Sequence, residues 1–369
     1  MNFKAIKISH QQFLEERLSE LKGETLYIYG AGSFGKEILL FLQQHDIKVC
    51  GFLDQSAEVI KEYCNLPVYH LDDNTIDRQN VTVLFSIVMD KDTRRGVIDK
   101  IKSAGFSCVR EAQYYRNLQV VPENFQGEDM GAYFLHEQPL IEKACEALAD
   151  DKSKAVFMAN LNAYFRKDYR HCADWEDSMV EQYFPKDIKM NAGYSRFVDC
   201  GGYIGDTVIE LLKQKEDVQA LAVFEPDLYN FERLAEVCRC QEIEAVCFPC
   251  AVSDRTEFHR FRVARGSGSM AEDGDSTILS IALDDAIHHF HPTFIKMDIE
   301  GAEVKALQGA KRMICKNVPD LAICVYHHMN HMWDIPLLLQ SWNVGYRFYL
   351  RSYNAYTMET VLYATKGDY

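Results

Sequence analysis

Two short stretches limit the fold of this chain more than any others. One is YIYGAGSFGKEILLF near the start, the other FVDCGGYIGDTVIEL in the second half. In each, an apolar run meets a glycine-rich turn, and apolar residues then recur at helical spacing. A strand that feeds a helix through a tight turn opens a βα unit, and repeated units build a parallel, doubly wound sheet.

The alternation continues around both stretches. In the first half the run 26–29 leads through the turn to Ile38, Leu39, Phe41 and Leu42. A second strand over 49–53 ends at Asp54, and a run over 81–89 and a helix near 93–104 follow. From about Arg110 to Tyr194 strand signals fade, and LIEKACEALADDKSKAVFMANLNAYF carries apolar residues at helical intervals. Strand-like runs return at 196–200, 220–224, 245–252, 294–297 and 321–325. A hairpin follows, with arms YRFYLRS and TVLYAT around a turn at Asn354. The predicted fold class is α/β: two doubly wound Rossmann-like domains, at 1–110 and 195–369, joined by a helical connector at 111–194. A chain of 369 residues, 47% of them hydrophobic, is long enough for two cores.

A formal net charge of −15 argues against nucleic acid or an anionic membrane as partner, because both attract cations. The first twenty residues lack an apolar core and carry Glu15, Glu16 and Glu20. No later run reaches the roughly 18 apolar residues of a membrane span, so the expected location is cytoplasmic. The twelve cysteines are then expected to be reduced. Cys238, Cys240, Cys247 and Cys250 come nearest to a metal pattern. Their spacing does not match a zinc ribbon, and AVCFPCAV reads as a buried strand, so no metal is assigned to them.

The two turns differ in chemistry. Gly30, Gly32, Ser33, Phe34 and Gly35, with Asp54 closing the next strand, fit a dinucleotide fingerprint. The glycines would admit a pyrophosphate to the helix N-terminus, and the acid would hold a ribose. A bound nucleotide or nucleotide-sugar and a purely structural turn both remain open. The second turn runs Asp199, Cys200, Gly201, Gly202, Tyr203, Ile204, Gly205, Asp206. An acid at the strand end repels a pyrophosphate and attracts a cationic nucleoside such as S-adenosylmethionine. Glu225-Pro226 closes the next run, where a carboxylate can accept both ribose hydroxyls. In this reading the glycines let the cofactor lie against the backbone. Asp206 suits a helix cap as well as a ligand.

Beyond these turns the sequence resembles the FkbM-type methyltransferases. The likeness is carried by FVDCGGYIGDT, AVFEPD, the LDD at 283–285, IKMDIEGAEVKALQGA, VYHHMNHMWDIPLL and YRFYLRSY. LADDKSKAVF and QYFPKDI extend it into the connector. It covers roughly 145–365, whereas 1–110 resembles only a generic Rossmann-type domain. One departure is Tyr203, which stands where the commoner turn has its middle glycine. The resemblance implies methyl transfer from S-adenosylmethionine to a hydroxyl of a sugar, nucleotide-sugar or related natural product. A nicotinamide-dependent sugar oxidoreductase is the rival, but no Tyr-x-x-x-Lys pair follows the first turn; a non-catalytic binding module is a third reading.

Alcohol methylation needs a base at the carboxyl ends of the central strands. Asp298 and His327 are the candidate pair, with Glu300 as second choice. A divalent metal held by Asp298, Glu300 and His327 is an alternative that is not favoured. Glu303, one turn on, could be merely solvated, and for His327 or His328 taken alone a structural role stands level with a catalytic one. Trp333, Tyr346, Phe348 and Tyr349 read as core or pocket wall. The expected partner is a small-molecule or glycan acceptor, and a homo-oligomer is left open.

Overall fold

The structure is a computed structural model and describes residues 10–89, 91–115, 122–123, 130–166, 169, 171–264, 267–270, 276–354 and 356–367. Two compact units emerge, and neither is one continuous piece of sequence. The first gathers 1–119, 158–179 and 353–357; the second gathers 120–157, 180–352 and 358–369.

In the first unit, α1 (His10–Ser19) precedes β1 (Thr25–Tyr29), α2 (Ser33–Gln44) and β2 (Val49–Leu53). A hairpin of β3 (Glu62–Tyr63) and β4 (Leu66–Tyr69) follows, then β5 (Val81–Phe85), α3 (Lys91–Ser103) and β6 (Cys108–Glu111). The sheet order is β3-β4-β2-β1-β5-β6, parallel except at β3. Ile38, Leu39 and Leu42 of α2 pack on Ile28, Phe52 and Leu84, which is why apolar residues recur at helical spacing there. The β3–β4 hairpin was not expected from the sequence. Its arms are too short for a periodic signal, and the turn is made by left-handed Cys64 and Asn65 (φ 53° and 62°). Residues 158–179 join this unit partly through Arg94 of α3, whose buried guanidinium reaches Glu176 Oε1 at 3.2 Å.

The connector forms α4 (Met130–Ala147) and α5 (Asp151–Arg166), and the two units share its residues. In the second unit come β7 (Arg196–Cys200), α6 (Asp206–Gln214), β8 (Ala220–Phe224), α7 (Leu228–Arg239) and β9 (Glu244–Phe248). An excursion follows through β10 (Ala251–Val252), β11 (Glu257–Ala264), β12 (Ser267–Met270), β13 (Ser276–Ile281) and α8 (Leu283–Ala286). The chain then returns in β14 (Phe294–Met297), α9 (Glu303–Gly309), α10 (Lys311–Asn317), β15 (Asp320–Cys324), α11 (His331–Ser341), β16 (Tyr346–Ser352) and β17 (Thr360–Lys366).

The main sheet runs β16-β17-β15-β14-β7-β8-β9. Five strands are parallel, and the closing hairpin is inserted so that β17 lies antiparallel between β15 and β16. β8, β14 and β15 are buried along their whole length, as parallel strands covered on both faces must be. The run expected as one buried strand over 245–252 is instead split. Pro249 offers no backbone N–H, β9 is a partly exposed edge strand, and β10 leaves for a separate sheet of order β10-β13-β11-β12.

Three motifs far apart in sequence meet in this unit at Arg351. Its buried guanidinium lies 2.7 Å from Asp150, 2.9 Å from Asp187 and 2.9 Å from Ser153 Oγ. Burial alone would raise the Asp150 carboxyl, but the hydrogen bonds of Arg351 and Ser153 pull it down to about 2.

Candidate active site

β7 is where the strand order of the main sheet reverses: β8 lies on one side, β14 on the other. Ligands of open α/β sheets bind outside the carboxyl ends at such a point. Asp199, Glu225, Asp298 and His327 all stand at or just beyond those ends.

Asp199 is wholly buried, and it meets Lys296 rather than the open crevice. The β7–β14 register pairs the two residues directly, and Lys296 Nζ lies 2.9 Å from Asp199 Oδ1. The same ammonium donates to the Gly201 carbonyl at 2.6 Å. Burial raises the Asp199 carboxyl to about 6 even though Lys296 pulls it down. The expected direct attraction of a cationic ligand to Asp199 therefore becomes an indirect one: the carboxylate holds Lys296, and Lys296 holds the turn. Lys296 itself was missed, although a lysine inside the apolar run FIKM was the available signal.

The glycines also serve a different end from the expected one. A Cβ on Gly201 (φ 90°) would stand 2.0 Å from the Asp298 carbonyl oxygen, and one on Gly202 would stand 2.4 Å from Val223 Cγ1. Gly205 (φ 89°) faces Val237 at 3.0 Å. Each glycine lets the turn lie against its own neighbouring strand or helix, which leaves no need to invoke a ligand for them.

Glu225 clamps the turn. Its Oε2 accepts from the Tyr203 amide and its Oε1 from the Asp227 amide, both at 2.9 Å. Burial raises this carboxyl to about 7 against those two bonds. Pro226 sets the corner, and Asp227 caps α7 by accepting from the Asn230 amide at 3.0 Å. Tyr203 is left-handed (φ 46°) and its side chain is exposed, while Ile204 is half-buried. The N-cap of α6 is Gly205 and has no side-chain cap bond, so Asp206 is an exposed first-turn residue and not the cap.

Beyond β14, Asp298 accepts from two tyrosine hydroxyls: Tyr183 to Oδ2 at 2.8 Å and Tyr326 to Oδ1 at 3.1 Å. His327 Nε2 lies 3.5 Å from Asp298 Oδ1 and 3.6 Å from Glu300 Oε2, so the expected pair and its second-choice acid do come together. Glu300 is left-handed (φ 55°), a strained state for a side chain, and is followed by Gly301 at φ 99°. Behind His327 stands Glu303, which is wholly buried and not solvated as expected. Its Oε1 lies 3.0 Å from His327 Nδ1, and its Oε2 lies 3.3 Å from His331 Nδ1.

Charges follow from this arrangement. Burial would lower His327, but Glu303, Asp298 and Glu300 together raise it to about 9. Burial would raise Glu303, yet the two imidazoles hold it well below the usual carboxylate range. The carboxylates around His327 thus favour its protonated form. Glu359, raised to about 7 by burial and by Asp298, adds a further acid to the cluster and accepts from Gln182 at 2.7 Å. Tyr183 and Tyr326 had no role in the sequence reading, though both lie in quoted motifs, QYFPKDI and VYHHMNH. His328 packs edge-on against His331, while Trp333 and Phe348 are core residues, as expected.

The sequence profile described as Methyltransferase FkbM domain matches residues 199–348, which span the turn, the acids and both histidines. Residues 199–348 thus match an FkbM methyltransferase domain. Among solved structures it is similar to a methyltransferase FkbM from Methylobacillus flagellatus. The TM-score is 0.68 at 23% identity, covering 97% of this chain and 95% of that one, which supports a shared fold. A methyltransferase from Geobacter sulfurreducens is similar at a TM-score of 0.33 and 10% identity, covering 76% of this chain and all of that one, too loose a likeness to argue from. No curated protein matches the chain.

The residues of the FkbM domain fit the cofactor that its family implies, S-adenosylmethionine. Each Glu225 oxygen accepts one amide and keeps capacity for one more donor, as two ribose hydroxyls require. Among the described residues no group of three or more His, Cys, Asp or Glu side chains is arranged to hold a metal ion.

The first unit's turn is built differently. Gly30 (φ 110°) and Gly35 are required by packing, since their Cβ atoms would stand 2.8 Å from Ile87 and 2.1 Å from the Gly30 carbonyl oxygen. Gly32, the N-cap of α2, faces nothing within 4 Å. Asp54 accepts from the Ala31 amide through Oδ2 and from the Ser56 amide through Oδ1, both at 2.8 Å. Ser33 and Phe34 open α2.

Proposed function

We propose that the protein is an S-adenosylmethionine-dependent O-methyltransferase acting on a hydroxyl of a sugar, nucleotide-sugar or related natural product. The observation that supports it most is the Asp298 cluster: a carboxylate at the topological switch point, held by two tyrosine hydroxyls and facing His327. Bound S-adenosylmethionine supplies an electrophilic methyl group on a cationic sulfur. Glu225 holds the ribose from the end of β8, and the Asp199–Lys296 pair keeps the turn in place beneath it. Tyr183 and Tyr326 fix Asp298 so that it accepts the hydrogen of an incoming hydroxyl, and a fixed partner of this kind lowers the barrier by orientation. The surrounding acids Glu300 and Glu359 favour a cationic cofactor over a phosphate-bearing one such as a nicotinamide dinucleotide.

The first unit's turn supports a narrower reading: Gly32 leaves room for a phosphate-bearing ligand at the start of α2. A cytoplasmic location fits the class of acceptor proposed above. Calorimetric titration with S-adenosylmethionine, its demethylated product and NAD(H) tests the reading. Binding of the first two and not of the nicotinamide is expected; the reverse outcome makes the protein an oxidoreductase. A mass-spectrometric screen for methyl gain on nucleotide-sugars and glycans then identifies the acceptor.

A further inference from the structure

The methyl-transfer reading leaves one buried group of the FkbM domain without a task. Glu303 is wholly buried between two imidazoles, with His327 Nδ1 at 3.0 Å on one oxygen and His331 Nδ1 at 3.3 Å on the other. The Ile299 amide also donates to Glu303 Oε1 at 3.0 Å, so the carboxylate is locked to the loop that carries Asp298 and Glu300. His331 is wholly buried too, and its outer nitrogen lies 3.9 Å from Glu123 Oε2. Packing alone would be met as well by apolar side chains of similar volume, so a buried acid between two bases calls for a chemical reason.

We propose that Glu303, held from behind by His331, is the positioning residue that makes His327 a cofactor-gated base. In the empty crevice His327 is an imidazolium, and once a sulfonium is bound it is a neutral base with its free lone pair on Nε2. The proposal rests on the function proposed above.

The distances separate the two ring nitrogens. Glu303 Oε1 stands 3.0 Å from Nδ1, closer than Asp298 and Glu300 stand to Nε2 at 3.5 and 3.6 Å, so in this proposal Nδ1 keeps its proton and Nε2 is the nitrogen that is emptied. His327 also feels Glu359 beside β17, His328 next to it in sequence, and Tyr326, whose ring centroid lies 4.2 Å away. His331 meets Glu123 and lies close enough to Asp334 to influence it. With no ligand, His327 and, through Glu303, His331 are the imidazoles set against the carboxylates of this cluster. A sulfonium bound near them would disfavour the His327 imidazolium. The Nε2 proton then leaves to water, and no other bond changes. When a hydroxyl is methylated its proton goes by way of Asp298 to Nε2. The positive charge lost at sulfur reappears on the ring, and the net charge of the crevice is unchanged.

The test follows the His327 ring by ¹⁵N nuclear magnetic resonance at pH 8, with S-adenosylmethionine and with its demethylated product. The expected wild-type ring is doubly protonated when empty and with the uncharged product, and is the neutral Nδ1–H tautomer with S-adenosylmethionine. In Glu303→Gln the ring should be neutral throughout. Calorimetry in two buffers of different ionisation enthalpy gives the protons released on binding. The difference between wild type and Glu303→Gln should approach about one proton per site, because Glu225 and the ligand's own amine contribute to both. A ring that is neutral in the empty wild type, or one unchanged on binding S-adenosylmethionine, overturns the proposal, as does equal proton release from the two proteins. If Glu303→Gln does not fold, the wild-type spectra still decide. Failure of the wild type to bind S-adenosylmethionine breaks the methyltransferase reading instead, and the empty-state ring still reports whether Glu303 holds it charged.

Discussion

The two glycine turns share one construction. Each follows the first strand of a parallel sheet, and each is clamped by an acid at the end of the next strand. Asp54 takes the Ala31 and Ser56 amides; Glu225 takes the Tyr203 and Asp227 amides. They differ in what lies beneath. Under the second turn is the buried Asp199–Lys296 pair, whereas under the first a neutral Ser86 hydroxyl donates to the Tyr29 carbonyl at 2.9 Å. They differ also in their glycines, since every glycine of the second turn is required by packing and Gly32 of the first is not. A shared motif thus specifies a backbone path, and the charge laid under that path separates the chemistry of the two crevices.

The sharpest way to break this comparison is to remove the buried charge. Asp199→Asn leaves the Lys296 ammonium unpaired in the core and should cost about 3–5 kcal/mol. Asp54→Asn keeps one acceptor oxygen and should cost about 1 kcal/mol. Denaturant unfolding measures both, and equal losses would show that the pair under the second turn adds nothing.

The glycines give a contrast of similar kind. Gly201→Ala combines a left-handed backbone with a contact to the Asp298 carbonyl, and about 2–4 kcal/mol of stability should go. Gly32→Ala, with open space and an extended backbone, should change stability by no more than about 0.5 kcal/mol. Thermal melts compare them, and a large loss for Gly32→Ala would mean that its place in the turn is structural after all.

The acids predict a direction with pH. Glu225 is raised in the fold to about 7 from 4.5, so the folded protein keeps a proton that the unfolded chain has lost. Stability from this group is fully present below 4.5 and falls as pH rises to about 7. His327, raised from 6.5 to about 9, acts in the same sense, and its contribution disappears as pH rises through about 9. Unliganded stability should therefore decline from pH 5 to 9. Glu225→Gln should flatten the acid part of that decline by about 2 kcal/mol. A rise in stability over this range would refute the burial argument.

The smallest effect concerns binding alone. Glu225→Ala should weaken S-adenosylmethionine roughly ten- to hundredfold, about 1.5–3 kcal/mol, while Asp54→Ala leaves it unchanged. Calorimetric titration reads both. Tight binding by Glu225→Ala would remove the ribose assignment.

Much of this arrangement is legible before folding. Apolar runs located β1, β2, β7, β8 and β14 almost to the residue, because strands covered on both faces are largely apolar. Position at a strand end marked Glu225, Asp298 and His327, and the structure brings the last two to 3.5 Å. The sheet of β10 to β13 escaped notice because edge and half-exposed strands lack that apolar signature. Of the two readings open for Asp206, cap and ligand, the cap is excluded because a left-handed Gly205 holds that position.

What the sequence by itself determined is periodicity: where strands and helices run, which turns are tight, and which acids stand at strand ends. These are local properties, written within a few residues of where they act. Register and long-range packing decided the rest. Lys296 meets Asp199 only because β7 and β14 align them across 97 positions of sequence. Tyr183 reaches Asp298 from the connector, and Glu303 lies between His327 and His331 because α9 and α11 pack behind the crevice. A buried charge is tolerated only with its partner in place. Its role could therefore be read only once folding had supplied that partner.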